Sequence, residues 1–190
     1  MELLEKRIAS DGVVLGGDIL KVGSFLNQQL DVDFLMELGA EVARLYAGCG
    51  VTKILTIEAS GIAIAVAAAV HMHVPVVFAK KMKGANQSAD VYSARITSFT
   101  HKNTYEATVA REYLSAADCV LIADDFLATG EALHGLISIV GEAGAALAGC
   151  AVAIEKGFQH GGDVLREKGI RVESLAIIDA MSADGIVYRR

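Results

Sequence analysis

The chain has no tryptophan, a single proline and only three cysteines in 190 residues. Each scarcity removes a class of protein. Cys49, Cys119 and Cys150 show no short metal-ligand spacing, and their odd number argues against a disulfide framework. They read as small core residues of a protein in a reducing cytoplasm. The most apolar stretch, residues 61–70, is far too short to span a bilayer. The charged, amphipathic start MELLEKRIASDG lacks the apolar segment of a signal peptide, so a cytoplasmic location is expected. Basic residues are in the minority, with a net charge of −6 and a pI near 5.3. A nucleic-acid-binding surface is therefore not expected as the main role. The sequence shows no nucleophile–base arrangement, glycine-rich dinucleotide fingerprint, internal repeat or linker. Of five scattered histidines, His71 and His73 fall on different helix faces and make a poor metal pair.

What is abundant is apolar: 53% of residues, with 19 glycines. One domain over residues 1–190 is the default at this length. Residues 2–10 read as a short helix. Residues 13–27 are apolar but without a clean period, which suits a surface hairpin or a folded-over loop. Asp31 can cap an amphipathic helix carrying Phe34, Leu35, Leu38, Val42 and Tyr46 on one face, ended by Gly48 and Gly50. KILTIE (53–58) reads as a strand running into a small-residue turn and a helix. VPVVFAK (74–80) is the next strand. VYSARITSFT and TYEATVA (91–100, 104–110) alternate around turn residues, as an antiparallel hairpin does. Strands follow at 119–123, 148–155 and 171–178, with helices between them and a small tail at 185–188. The pattern predicts an α/β fold: a doubly wound, mainly parallel sheet flanked by helices and carrying an antiparallel hairpin.

The chemistry concentrates in CVLIADDFLATGEA, residues 119–132. A buried apolar strand is expected to leave the sheet at Asp124 and Asp125, then turn through Ala128, Thr129 and Gly130 into a helix beginning Glu131-Ala132. A helix N-terminus offers free backbone N–H groups and a positive dipole end, a ready site for an anion and above all for phosphate. Two acids beside it can hold sugar hydroxyls or a divalent cation. The same residues also read as an ordinary turn with a helix cap. A second strand–turn–helix unit occurs at Ala59-Ser60-Gly61, and Lys80 and Lys81 follow the next strand. Lys156 closes the strand 148–155, where a snorkelling surface group is equally common.

DDFLATGEA resembles the phosphoribosyl-diphosphate (PRPP) motif of the phosphoribosyltransferases, with Glu131 and Ala132 where a second hydroxyl residue is frequent. EASGIA, residues 58–63, resembles their pyrophosphate loop, with Ala59 in place of a hydroxyl residue. DGVVLGGDILKVGSFLNQQ, VPVVFAKK and AIEKGFQ extend the similarity over nearly the whole length, to the bacterial members that act on xanthine. The resemblance implies a type I phosphoribosyltransferase fold, with a hood over about 82–112 and a base-covering segment over about 13–30. It implies that Ala128, Thr129, Gly130, Glu131 and Ala132 bind the 5′-phosphate of PRPP and that Asp124 and Asp125 are catalytic. Ala59, Ser60, Gly61, Lys80 and Lys81 would receive pyrophosphate. Leu20, Asn27 and Lys156 would contact xanthine: the lysine donates to the 6-oxo group, the amide to the 2-oxo group. Phe158 could stack on the ring or simply pack in the core. The resemblance further implies xanthine and PRPP as substrates, Mg2+ carried by PRPP rather than by a protein metal site, a homodimer, no nucleic-acid or membrane partner, and a role in purine salvage. Two other readings stand beside it: a sister enzyme preferring guanine or hypoxanthine, and a non-catalytic PRPP-sensing regulator.

Overall fold

The computed structural model describes residues 1–82, 90–98, 103–182 and 185–190. Of the expected hood, residues 83–89 and 99–102 lie outside the described residues.

An eight-stranded sheet forms the centre. In chain order its strands are β3 (Lys53–Ile57), β4 (Val76–Met82), β5 (Val91–Ser98), β6 (Asn103–Ala110), β7 (Cys119–Leu127), β8 (Ala146–Lys156), β9 (Val172–Ser182) and β10 (Gly185–Tyr188). The spatial order is β10-β9-β8-β7-β3-β4-β6-β5. The pairs linking β9, β8, β7, β3 and β4 are parallel. The outer pairs β10–β9, β4–β6 and β6–β5 are antiparallel. The hairpin β5–β6 thus continues the sheet instead of standing apart from it. The residues expected to form a tail after 184 make an edge strand.

Two helical layers cover the sheet. Helices α1 (Glu2–Asp11), α2 (Val32–Leu45) and α3 (Gly61–Met72) share one core with Ile54, Leu121, Ala123 and Ala151; α4 (Glu131–Glu142) and α5 (Gly161–Glu167) share the other with Leu55, Val120, Ile122 and Val152. Successive β7 residues therefore bury both faces, which is why the strand reads as an unbroken apolar run. Asp31 caps α2 by accepting from Phe34 N at 3.2 Å. The turn after α2 holds Gly48 and Gly50 at φ +76° and +68°, the left-handed conformation that stops a helix.

Residues 13–27 hold both features read from their composition. β1 (Val13–Leu15) and β2 (Ile19–Lys21) pair as a small hairpin, and one turn of π-helix over Gly23–Asn27 follows. Val22, Phe25 and Leu26 are fully buried. Phe25 meets Phe34 edge-on, with centroids 5.7 Å apart, and the Arg7 guanidinium lies over both rings while pairing with Asp31. Burying Phe25 alone is worth about 1.5–3 kcal/mol, so the exposed hairpin has a firm root.

One boundary differs from the sequence reading, and it shapes the site. β7 does not leave the sheet at Asp124; it runs on to Leu127, pairing Asp124 with Val152 and Phe126 with Ile154. The cause is its long neighbour β8, which offers a ladder through Lys156. On its other side β7 pairs with β3 only as far as Ile122 opposite Leu55. The two acids therefore lie beyond the end of that pairing, at the point where the strand order reverses.

Candidate active site

In open α/β sheets ligands bind outside the carboxyl ends of strands flanking such a reversal. Here those strands are β3 and β7, and the expected groups gather there. Asp124 and Asp125 are each only 6% exposed. Asp125 accepts from Asn27 Nδ2 at 3.1 Å and from Ser60 Oγ at 3.0 Å. One donor comes from the N-terminal segment and the other from the turn after β3, so one carboxylate ties both to β7. Asp124 Oδ1 accepts from the Asp125 backbone N–H at 2.9 Å. Burial, and then the neighbouring Asp125, push the Asp124 carboxyl well above the usual carboxylate range. Gly61 explains the close approach of α3. A Cβ there would lie against Thr56 Oγ1 and 2.6 Å from Asp124 Oδ1.

The turn after β7 encloses a pocket of about 130 Å3. Ala128, Thr129, Gly130, Glu131 and Ala132 line it from below, and Ile96, Thr97 and Tyr105 of the hairpin line it from above. Gly130 adopts φ +89° as the residue preceding α4, and no side chain caps that helix, which leaves its first N–H groups unclaimed by a cap. The turn at 128–132, where an anion was expected, thus lines a concavity shared with the hairpin. The hairpin is anchored by Ile96, which packs so closely on α4 that a Cβ at Gly135 would meet it at 2.5 Å. On the other side the turn rests on Gly161. A Cβ there would press on the Ala128 carbonyl and lie 2.5 Å from Thr129 C and 2.7 Å from Gly130 N.

The β3–β4 ladder ends at Ile57 opposite Ala79, and the next two residues of β4, Lys80 and Lys81, pair with Thr108 and Ala107 of β6. Lys81 N donates to Glu58 Oε1 at 2.6 Å, and its ammonium sits 5.2 Å from the Tyr105 ring centroid. The Glu58–Ala59 peptide is cis.

Lys156 ends β8 one ladder step beyond the Leu127–Glu155 pair, beside Ala128. Its Nζ donates to the Asp18 carbonyl at 2.7 Å and lies 5.9 Å from the Phe126 ring centroid. Burial lowers its pKa, with a smaller opposing effect from Asp18. The tip of the β1–β2 hairpin thus reaches the lysine, as a base-covering segment would. Leu20 is buried in the core beneath that hairpin, and Phe158 is half-buried against the same core. Asn27, expected to meet the base, gives its amide N–H to Asp125.

Three contributors escaped the sequence reading. Phe126 lies past the expected strand end at Ala123, and the extension of β7 puts its ring centroid 5.9 Å from Lys156 Nζ. Tyr105 lines the pocket at the 128–132 turn; burial, then Asp124, raises its pKa. Gly161 buttresses the turn. Only the His-Gly-Gly run at 160–162 hinted at a close backbone approach. Among the described residues no group of three or more His, Cys, Asp or Glu is placed to hold a metal ion, and no helix is long and apolar enough to cross a membrane.

The family model for the phosphoribosyl transferase domain matches residues 22–166. A xanthine phosphoribosyltransferase of Lachnoclostridium phytofermentans is 52% identical, covering 100% of this chain and 98% of that protein. One from Ruminiclostridium cellulolyticum is 54% identical over 95% of each. Among solved structures, adenine phosphoribosyltransferase of Trypanosoma brucei superposes with a TM-score of 0.77 over 96% of this chain and 83% of that one, at 18% identity. That of Leishmania donovani gives 0.73 over 95% and 82%, at 17% identity. Those two share the fold, and the sequence relatives share far more. With that family model matching most of its length and those relatives matching nearly all of it, the chain belongs to the phosphoribosyltransferase family.

Proposed function

We propose that the chain transfers the 5-phosphoribosyl group of PRPP to N9 of xanthine, releasing pyrophosphate and xanthosine 5′-phosphate in purine salvage in the cytoplasm. The observation that carries this reading is the meeting of Lys156, the acid pair and the roofed phosphate turn at one sheet edge. Identity of about half to xanthine phosphoribosyltransferases along the whole chain supports the choice of purine.

The residues divide the work by position. Backbone N–H groups of Ala128–Ala132 take the 5′-phosphate. Asp124 and Asp125 face the ribose, where positive charge develops at C1 as the pyrophosphate bond breaks. Electrostatic groups fixed in place before the reaction are worth about 10²–10³ in rate. Asn27 and Ser60 hold Asp125 in place, and each carboxylate oxygen keeps a lone pair for a hydroxyl. Ser60, Gly61 and the neighbouring lysines receive the leaving pyrophosphate. Asp124 and Asp125 would hold the Mg2+ carried by PRPP, and that ion would offset the charge of the leaving pyrophosphate. Lys156 has three donors, so it can keep the Asp18 carbonyl and still reach the 6-oxo group of a base lying against Phe126. Closure by the β5–β6 hairpin excludes water that would otherwise capture the ribosyl group.

A homodimer belongs to the same reading. Val66 and Val70 are exposed on α3, beside an apolar groove of about 670 Å3 that shares Ala59 and Ser60 with the pyrophosphate turn. Sedimentation equilibrium checks the dimer. The activity is tested by pyrophosphate release with Mg2+–PRPP and each purine in turn. Xanthine should dominate. Faster release with guanine or hypoxanthine would assign the sister activity, and no release with any purine would refute the reading.

A further inference from the structure

The segment from Lys156 to Gly161 joins the base lysine to the buttress of the phosphate turn, and it is clamped from behind by a residue that the mechanism has not used. Arg189 follows β10, and its backbone N–H donates to Ile177 O at 2.9 Å. Its guanidinium bridges two carboxylates. Nε and Nη2 meet Asp179 Oδ1 of β9 at 3.0 and 2.8 Å. Nη1 and Nη2 meet the two oxygens of Asp163, in the first turn of α5, at 2.7 and 3.4 Å. Gly157, the residue after Lys156, lies directly on this bridge: a Cβ there would be 2.5 Å from Asp179 Oδ1 and 2.9 Å from Arg189 Nη2. At the far end, Gly161 touches the backbone of residues 128–130. The segment is a short strut with Lys156 at one end and the phosphate turn at the other.

We propose that Arg189 is a positioning residue that, by clasping Asp163 and Asp179 behind Gly157, fixes where Lys156 meets the purine. The inference rests on the functional reading above and adds a specificity-bearing contact to it. The clasp is suited to geometry more than to stability. Side chains of Arg189, Asp163 and Asp179 are 33%, 32% and 39% exposed, a regime in which ion pairs contribute about 0–1 kcal/mol. A planar guanidinium forked between two carboxylates nevertheless fixes their separation in a way lysine cannot. Among the described residues two other basic side chains lie near Asp163: His160, whose Nδ1 is 3.4 Å from Asp163 Oδ2 and which has no guanidinium fork, and Arg166. Arg166 comes within 3.5 Å of Asp163 but is committed to buried Glu155 at 2.6 and 3.0 Å. Without Arg189 the two carboxylates repel across Gly157, and the strut loses its back wall.

The test uses Arg189→Ala and Gly157→Ala, the second opening the clasp with Arg189 still present. Both should raise the KM for xanthine about tenfold, since a shift of 1 Å can cost up to about 100-fold. The KM for PRPP should stay within about twofold, on the same reasoning that the phosphate turn keeps its own buttress. Arg189→Lys should fall between parent and Arg189→Ala. Amide hydrogen exchange over residues 157–159 should quicken in both alanine variants. Unchanged xanthine KM would overturn the proposal, as would an equal rise in both KM values, which would mark a general structural role. The exchange measurement needs no purine. A parent protein inactive on xanthine would count against the functional reading, while unchanged exchange in the variants would count against the clasp.

Discussion

Replacing Gly130 by valine strikes the phosphate turn where its backbone is most demanding. Gly130 sits at φ +89°, and an L-residue in the left-handed region costs about 1–2 kcal/mol, more with a β-branch. Overlap is not the issue. An added Cβ would lie 3.5 Å from Gly161 O and 3.7 Å from Leu127 Cδ1, ordinary contact distances. In a chain of this size each kcal/mol moves the thermal midpoint by about 2–4 °C, so a fall of roughly 2–8 °C is expected. Relief of the strain requires a negative φ, which swings the turn's N–H groups away from the pocket. Each hydrogen bond to a charged phosphate is worth about 1.5–3 kcal/mol, so losing one should raise the KM for PRPP about 10–100-fold. Pyrophosphate release at saturating xanthine measures it. Gly161→Ala reaches the turn from the opposite side, because its Cβ would press on backbone that cannot rotate away; the same PRPP defect is expected without altering the turn's own sequence. A Gly130→Val protein that melts several degrees early yet keeps the parental KM for PRPP would refute the cradle.

Three further outcomes are expected. Asp124→Ala with Asp125→Ala should cut turnover at least about a hundredfold; lost thermal stability with retained kcat would make the pair structural. Asp124→Asn tests the buried carboxyl by pH. Its folded pKa is raised, so the native state binds the proton more tightly than the unfolded chain, and the parent loses stability as pH rises from the ordinary carboxylate pKa through the folded value. The asparagine variant escapes that loss, so its advantage in thermal midpoint should grow from pH 5 to pH 8; an advantage constant with pH would contradict the burial argument. Lys156→Ala should weaken xanthine far more than PRPP in competition assays, and equal losses would remove its role in reading the base.

The acid pair, the two small-residue turns and the closing lysine are legible in the chain because strand–turn–helix units write their chemistry locally, in a few consecutive residues. Asp31 as a cap, the alternation of the hairpin and the apolar run of β7 are legible for the same reason. Other features depend on neighbours distant in sequence. Phe126 falls outside the expected strand, which ends at Ala123, until the length of β8 is known. Asn27 meets Asp125 across 98 positions, and no local pattern announces that partnership. Gly157 and Gly161 look like ordinary loop glycines until Arg189 and the 128–130 backbone lie against them.

Local order of apolar runs and small-residue turns therefore determined the α/β class, the candidate phosphate turn and the candidate acids. Tertiary structure alone decided that β7 outruns its pairing with β3, that one carboxylate ties three segments together, and that a clasp stands behind the base lysine. The physical reason is range: backbone propensity and helix dipoles act within a few residues, whereas burial, strand register and ion-pair geometry exist only after the chain has closed on itself.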